Sequence, residues 1–395
     1  MSTYDYFKQA LKDVSKPCAF IEMTHFDTNI QRIAAQSNGK TIRIASKSIR
    51  SIDVLNYIFN SSPIFQGVMC YAADEALYLN DNGFDDLLIA YPTVNQTHLK
   101  KIAQRTKNNQ TITVMVDSTF HIDLLETIAK ETDSHFLTCL DIDLSTTYPR
   151  LHFGVHRSPV KTTEHAMALI NRILHSKYLT LDGIMGYEAQ IAGVTDNNPK
   201  QKTKNSVIRM LKKHASKEII KKRAAIRDAI QEKRIPLRFV NGGGTGSLKQ
   251  TAQEDAVTEM TVGSGFFNPH LFDDYVDHHN EPAMGFAIDI TRRPSRHIYT
   301  CAGGGYIASG AVGEDRLPRV YLPKGATLTA NEGAGEVQTP IYYEGDVHLE
   351  IGDPIFMRHS KAGELCEHFH DIHLIKEGQI TGTYRTYRGD HKCFL

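Results

Sequence analysis

The chain has 395 residues, and its 45 Lys and Arg balance 45 Asp and Glu. That balance removes the global electrostatic pull that nucleic acid or an anionic membrane surface needs. The length exceeds one ordinary core, and 41% apolar residues can fill more than one, so two domains are expected.

Residues 1–16 are polar and lack the apolar run of a signal peptide. No apolar stretch approaches membrane-spanning length. Six cysteines, Cys18, Cys70, Cys139, Cys301, Cys366 and Cys393, are scattered without a CxxC pair. Free thiols and a cytoplasmic location are the expectation.

From about residue 41 to 265, short β-rich runs alternate with helical patterns. The strands expected are 41–46, 65–71, 86–91, 111–117, 135–143, 181–187, 237–241 and 259–263. Most are nearly continuous apolar runs, the mark of parallel strands buried on both faces. Helices are expected at 49–59, 73–80, 96–105, 120–130, 163–176, 200–234 and 248–253. The helix at 200–234 is strongly basic. Its apolar positions Val207, Met210, Leu211, Ile219, Ile220, Ala224, Ile226 and Ile230 read as one amphipathic face, the charges as a solvated one. Eight such alternations predict a (β/α)8 TIM barrel over 1–275.

The texture changes after Pro269. Strands are expected at 286–290, 297–301, 319–322, 347–350, 354–358, 372–376 and 379–387, with one helical pattern at 362–369. That is a mainly β domain over 280–395. The first residues of the chain are expected to pack on it.

Lys47 closes the first barrel strand, Thr41-Ile42-Arg43-Ile44-Ala45-Ser46-Lys47. A lysine at a barrel mouth can hold an aldehyde cofactor through an imine to its ε-amine. It must be deprotonated to do so, and nearby cations (Arg43 and Arg50 in sequence) favour that state. Alone, such a lysine is more often an exposed loop residue. Two glycine loops strengthen the functional reading. Asn241-Gly242-Gly243-Gly244-Thr245-Gly246 and Val262-Gly263-Ser264-Gly265 follow the seventh and eighth strands, the common phosphate site of such barrels. Clustered N–H groups bind the anion, and Thr245, Ser247 and Ser264 add hydroxyls. The combination points to pyridoxal phosphate.

Other glycine motifs fail their context. Residues 241–247 lack the Gly-Lys-Ser/Thr ending of a P-loop, and Gly303 to Ala308 fits GxGxxA but opens no helix. Arg157 follows strand five and can grip a carboxylate or a cofactor oxygen. Tyr187 ends strand six and can stack on a ring or simply cap the barrel. His368, His370 and His373, with Asp371 and Cys366, make a loose potential metal cluster. Solvated histidines are the commoner state of such a group.

These residues resemble the alanine racemase-like, fold-type III pyridoxal phosphate enzymes. Within that group the resemblance is to the D-threonine aldolase and D-serine dehydratase branch, including amino-acid deaminase/aldolases. It covers most of the chain. It rests on Arg43 to Ser48, on Gly154 to Val160, on Gly186-Tyr187, on the loop at 242–246 and on the C-terminal β domain. The resemblance implies that Lys47 carries the cofactor, with Arg157 beside it and Tyr187 near its ring. Gly244, Thr245, Gly246, Gly263 and Ser264 then hold the phosphate. Pro159 replaces the family's usual glycine. The metal-using branch carries a Pro-Asn-His-x-Cys motif after a Gly-Asp pair. Counting from Gly352-Asp353 places Lys361 and Gly363 at the two ligand positions, so the usual divalent-metal site is absent. His368 and His370 in a shifted register are the alternative ligands.

The resemblance implies a lyase acting at Cα of β-hydroxy D-amino acids, with a small amino acid as substrate and a homodimer as the assembly. His359, Lys361 and Glu364 are the candidate acid/base groups. An amino-acid racemase is the alternative enzyme, and a non-catalytic pyridoxal-phosphate-binding protein the alternative from another class. A metal-dependent barrel hydrolase lacking that cofactor is the third.

Overall fold

The computed structural model describes residues 2–311, 313–361 and 363–395. Eight parallel strands close into a barrel. In order they are Thr41–Ala45, Phe65–Cys70, Leu87–Ile89, Ile112–Val116, Phe136–Asp141, Leu179–Met185, Phe239–Gly242 and Glu259–Val262. The eighth pairs with the first, Glu259 opposite Thr41, which completes the ring. Every barrel strand expected from sequence is present. The reason is visible in Ile112–Val116, where all five residues are buried because helices cover one face and the barrel interior the other.

The barrel interior is small and distinct from the outer shell of strand–helix packing. Leu88, Met115, Cys139, Met185 and Phe239 fill it. Beyond them, the N-terminal end is plugged by ions. Arg43, fully buried, reaches Glu259 at 2.8 Å and Asp86 at 3.0 Å. Arg238 holds Asp86 and Asp182, each at 2.6 Å. This end is sealed, which leaves the C-terminal mouth for a site.

A nine-stranded sheet forms the second unit. Its main path runs Thr327–Leu328, Gln338–Tyr342, Ile298–Ala302, Met284–Ser295, Cys18–Glu22, Asp371–Lys376 and Gln379–Arg385. Pro354–Arg358 pairs with Met284–Ser295 and with Arg319–Leu322. The strand Cys18–Glu22 comes from before the barrel. It pairs antiparallel with Met284–Ser295 and parallel with Asp371–Lys376.

Several expectations need correction. Residues 347–350 are not a strand. The Glu350 N–H donates to the Asp353 carboxylate and Gly352 turns at φ +95°, so the segment reverses direction instead of pairing. The helix expected at 362–369 is a single 3-10 turn, Glu364–Glu367, and residue 362 lies outside the described residues. The helix Lys202–Glu232 forms, but Val207, Met210 and Ile220 are exposed. Its inward face keeps Ile219, Ile226 and Ile230 of the expected set and adds Lys212 and Arg223, because both are held by buried carboxylates, Asp196 and the pair Glu188 and Glu254. The six cysteines are unbridged.

Candidate active site

Lys47 sits in the turn Ser46–Ser48, immediately after the first barrel strand. Ile49 and Arg50 N–H groups close that turn on the Ser46 carbonyl at 2.8 and 2.9 Å. Ser46 Oγ donates to the Met69 carbonyl of the next strand. The lysine lines a cavity of about 440 Å³ at the C-terminal mouth, within the usual range for a small-molecule site.

Both glycine loops reach the same cavity. Gly243 has φ +89°, a conformation that favours glycine. A Cβ on Gly244 would lie 2.8 Å from the Ala192 methyl and 3.1 Å from the Tyr187 ring. One on Gly263 would lie 2.9 Å from the Ala45 carbonyl oxygen. The chain is therefore pressed against the rim with its backbone available. Thr245 Oγ1 accepts from Gly265 N–H at 2.9 Å and links the two loops. Ser48 and Ser264 hydroxyls lie 3.0 Å apart and link the Lys47 turn to the eighth strand. Gly246 does not line this cavity. It faces a neighbouring one, where a Cβ would meet the Tyr275 ring at 2.5 Å, so its place is a packing one.

A buried carboxylate anchors the first loop. Glu188 accepts from Gly243 N–H at 3.2 Å and Ser247 Oγ at 2.9 Å, and also from Thr251 Oγ1. Arg223 pairs with it at 2.8 Å. Burial raises the Glu188 pKa, but Arg223 and these donors outweigh burial and leave it below the ordinary value.

Arg157 lines the cavity with its guanidinium 5.4 Å from the ring centres of both Tyr91 and Tyr187. Behind it Asp141 is buried. Burial, then the neighbouring Asp117, push its carboxyl up to about 7 against the pull of Arg157. Burial also pushes the Tyr187 phenol up to about 12.

The residues fit pyridoxal phosphate. An amine, two loops whose Gly244 and Gly263 have no room for a side chain, and a flanking arginine converge on one cavity. Two buried polar atoms on its wall, Tyr71 Oη and Gln190 Oε1, have no protein partner.

They do not fit a divalent metal. Lys361 lines the cavity and donates to the Ser309 carbonyl at 3.3 Å. Burial lowers its pKa, with Glu364 opposing and Arg316 and Lys47 assisting. An ammonium repels a metal ion. Gly363 brings no donor, and a Cβ there would lie 2.8 Å from the Lys47 carbonyl oxygen. Among the described residues, no three His, Cys, Asp or Glu side chains converge as ligands, those around His368 and His370 included.

His359 is buried at the end of Pro354–Arg358, where its carbonyl accepts from His270 N–H, and it does not line the cavity. Glu364 lies beside Lys361 and accepts from Ser309 N–H. Arg43 is not a free cation near Lys47, since Glu259 and Asp86 neutralise it in the barrel floor. Sequence reading missed Tyr71, Tyr91, His152 and Gln190, which also line the cavity. His152 comes from an unexpected hairpin, Thr146–Tyr148 with Leu151–Phe153. Tyr71 immediately follows a barrel strand and Tyr91 comes two residues after the next one, which was the available signal.

The chain shares 23% identity over 257 residues with the 3-hydroxy-D-aspartate aldolase of Paracoccus denitrificans (strain Pd 1222). That match covers 65% of this chain and spans 61% of the relative's length. In three dimensions the chain resembles a D-threonine aldolase from Filomicrobium marinum, with TM-score 0.80, 19% identity and 96% of each chain covered. It also resembles the D-threo-3-hydroxyaspartate dehydratase from Delftia sp. HT23, with TM-score 0.77, 18% identity, and 95% of this chain and 98% of that one covered. These structural likenesses show a common fold. Residues 21–267 match the family described as alanine racemase, N-terminal domain, well over half of the chain, and the protein belongs to that family.

Proposed function

We propose that the protein is a pyridoxal-phosphate-dependent lyase acting at Cα of β-hydroxy D-amino acids, an aldolase or a dehydratase. The observation that carries this reading is the convergence of Lys47 with the Gly244-Thr245 and Gly263-Ser264 loops on one cavity. The aldolase named among its relatives supports the reaction class and the D-series.

When bound, pyridoxal phosphate supplies an electron sink for a bond broken at Cα. Lys47 provides the amine that holds the cofactor and, once freed, a base at Cα. Gly244, Thr245, Gly263 and Ser264 hold the phosphate through backbone N–H groups and hydroxyls. Arg157, 5.4 Å from the ring centres of Tyr91 and Tyr187, faces the cavity as a cation. Lys361 lines the same cavity as Lys47. Aldol cleavage requires a base for the β-hydroxyl proton, and elimination an acid for the leaving hydroxyl. A lysine whose pKa burial has lowered serves either role. Glu364 orients the loop on which it sits. No step requires a metal. Homodimerisation belongs to the same reading and is checked by sedimentation equilibrium.

The test is a spectrum of the purified protein before and after borohydride, peptide mapping, and a screen of D- and L-amino acids for aldehyde, ketoacid and ammonia. A reduced adduct at Lys47 and turnover of β-hydroxy D-amino acids are expected. Interconversion of enantiomers without aldehyde or ammonia identifies a racemase instead. Cofactor binding without any turnover identifies a non-catalytic binding protein.

A further inference from the structure

Arg50 adopts φ +51°, a left-handed conformation uncommon for a long side chain. Glycine satisfies that backbone at lower cost. What arginine adds is the guanidinium, and this one is 2% exposed and hydrogen-bonded through Nε and Nη1. Its Nε donates to the Lys47 carbonyl at 2.9 Å, and its Nη1 donates to Glu367 at 2.6 Å. The guanidinium lies 5.2 Å from the centre of the Tyr71 ring, which lines the cavity.

Glu367 belongs to the C-terminal unit and is held from its other side by Arg388 at 2.7 Å. Further contacts from that unit converge on the same turn. Tyr387 N–H donates to the Arg50 carbonyl at 2.8 Å, and Cys366 Sγ reaches the Ile49 carbonyl at 3.5 Å. Gly363 packs so closely that a Cβ would meet Lys47 and Ser48 backbone atoms within 2.8 Å. Tyr387 Oη also donates to Glu75, which accepts from Tyr71 N–H.

We infer that Arg50 is the positioning residue of Lys47: through the Arg50–Glu367 pair, the C-terminal unit holds the lysine turn so that its amine meets the cofactor aldehyde. The inference rests on the reading of Lys47 as the cofactor lysine. The turn is short, so fixing the Lys47 carbonyl fixes the direction in which its side chain leaves the backbone. A misdirected amine loses the bond to the aldehyde, while the glycine loops still grip the phosphate.

The test compares two ligands on wild type, Arg50→Gly and Glu367→Gln. Pyridoxal phosphate can bond to Lys47, whereas pyridoxamine phosphate has the same ring and phosphate but no aldehyde. Glycine suits the backbone at position 50, so the first variant is expected to fold. Its Kd for pyridoxal phosphate is expected to rise at least about tenfold, with less borohydride-trapped adduct at Lys47. Its Kd for pyridoxamine phosphate is expected to stay within about twofold of wild type. Glu367→Gln, which keeps the bond from Arg50 to the Lys47 carbonyl, is expected to show the same pattern at about threefold. It decides the matter if Arg50→Gly does not fold. Unchanged pyridoxal phosphate affinity and trapping overturn the inference. Equal weakening of both ligands also overturns it, by showing a general structural role. If wild type traps no cofactor at residue 47, the underlying reading of Lys47 falls instead.

Discussion

Lys361 and Asp141 show how environment shifts the titration of ordinary side chains. Lys361 is one of several lysines in the chain, but burial beside Lys47 and Arg316 gives it a lowered pKa and a place on the cavity wall. Lys361→Ala is expected to lower kcat by about 100-fold, the usual weight of one acid/base group. Dialysis against EDTA is expected to leave wild-type activity unchanged, with metal content read by mass spectrometry. A loss of activity restored by a divalent ion would count against the donor-set argument. Asp141 behaves differently. Its carboxyl titrates near 7 in the fold and near the ordinary value of about 4 when unfolded. Between those values the folded state binds more protons, so this group's stability contribution is lost as pH rises through 7. Asp141→Asn removes that slope. Urea unfolding at pH 5 and pH 8 is expected to show wild type losing more stability than the variant, at up to about 1.4 kcal/mol per pH unit in the titration window.

Two elements carry the phosphate reading, and their spacing was legible because glycine in such clusters has a backbone reason. Gly263→Ala places a methyl 2.9 Å from the Ala45 carbonyl oxygen, on the strand that leads to Lys47. The strand or the loop must shift, with an expected cost of about 1–3 kcal/mol and weaker cofactor binding in a titration. The anchor of the other loop was not legible. Glu188 is an acidic residue next to a tyrosine, and only folding brings Arg223, 35 residues on, against it. Glu188→Ala is expected to destabilise by about 3–5 kcal/mol, since it leaves a buried arginine with one partner fewer; chemical denaturation measures this. The same lack of foresight applies to the helix Lys202–Glu232. Hydrophobic periodicity identified Ile219, Ile226 and Ile230 of its inward face, but not Lys212 and Arg223, which buried ion pairs hold on that same face.

At the scale of the molecule, the chain threads the β unit twice. Cys18–Glu22 is laid into that sheet before the barrel begins, between strands that follow it. Within this strand Phe20 is buried, its ring 5.1 Å from Phe7 and 6.1 Å from Phe356. Phe20→Ala is expected to cost about 3–5 kcal/mol. Because the C-terminal unit built on this sheet also holds the Lys47 turn, far-UV circular dichroism and cofactor absorbance are expected to melt together in wild type and variant alike. Separate transitions would show that the two units are uncoupled.

The order of the barrel strands, the lysine at its mouth and the paired glycine loops follow from the sequence by itself. Each is a local pattern: doubly buried parallel strands are apolar throughout, and close backbone approach needs glycine. The joining of the two units, the exclusion of His359, the entry of Lys361 and the grip of Glu367 on Arg50 were decided only by tertiary structure. Those contacts link residues far apart in sequence, 52 positions for Lys361 and Ser309 and 317 for Arg50 and Glu367, and no local period encodes which distant charge a buried side chain will meet.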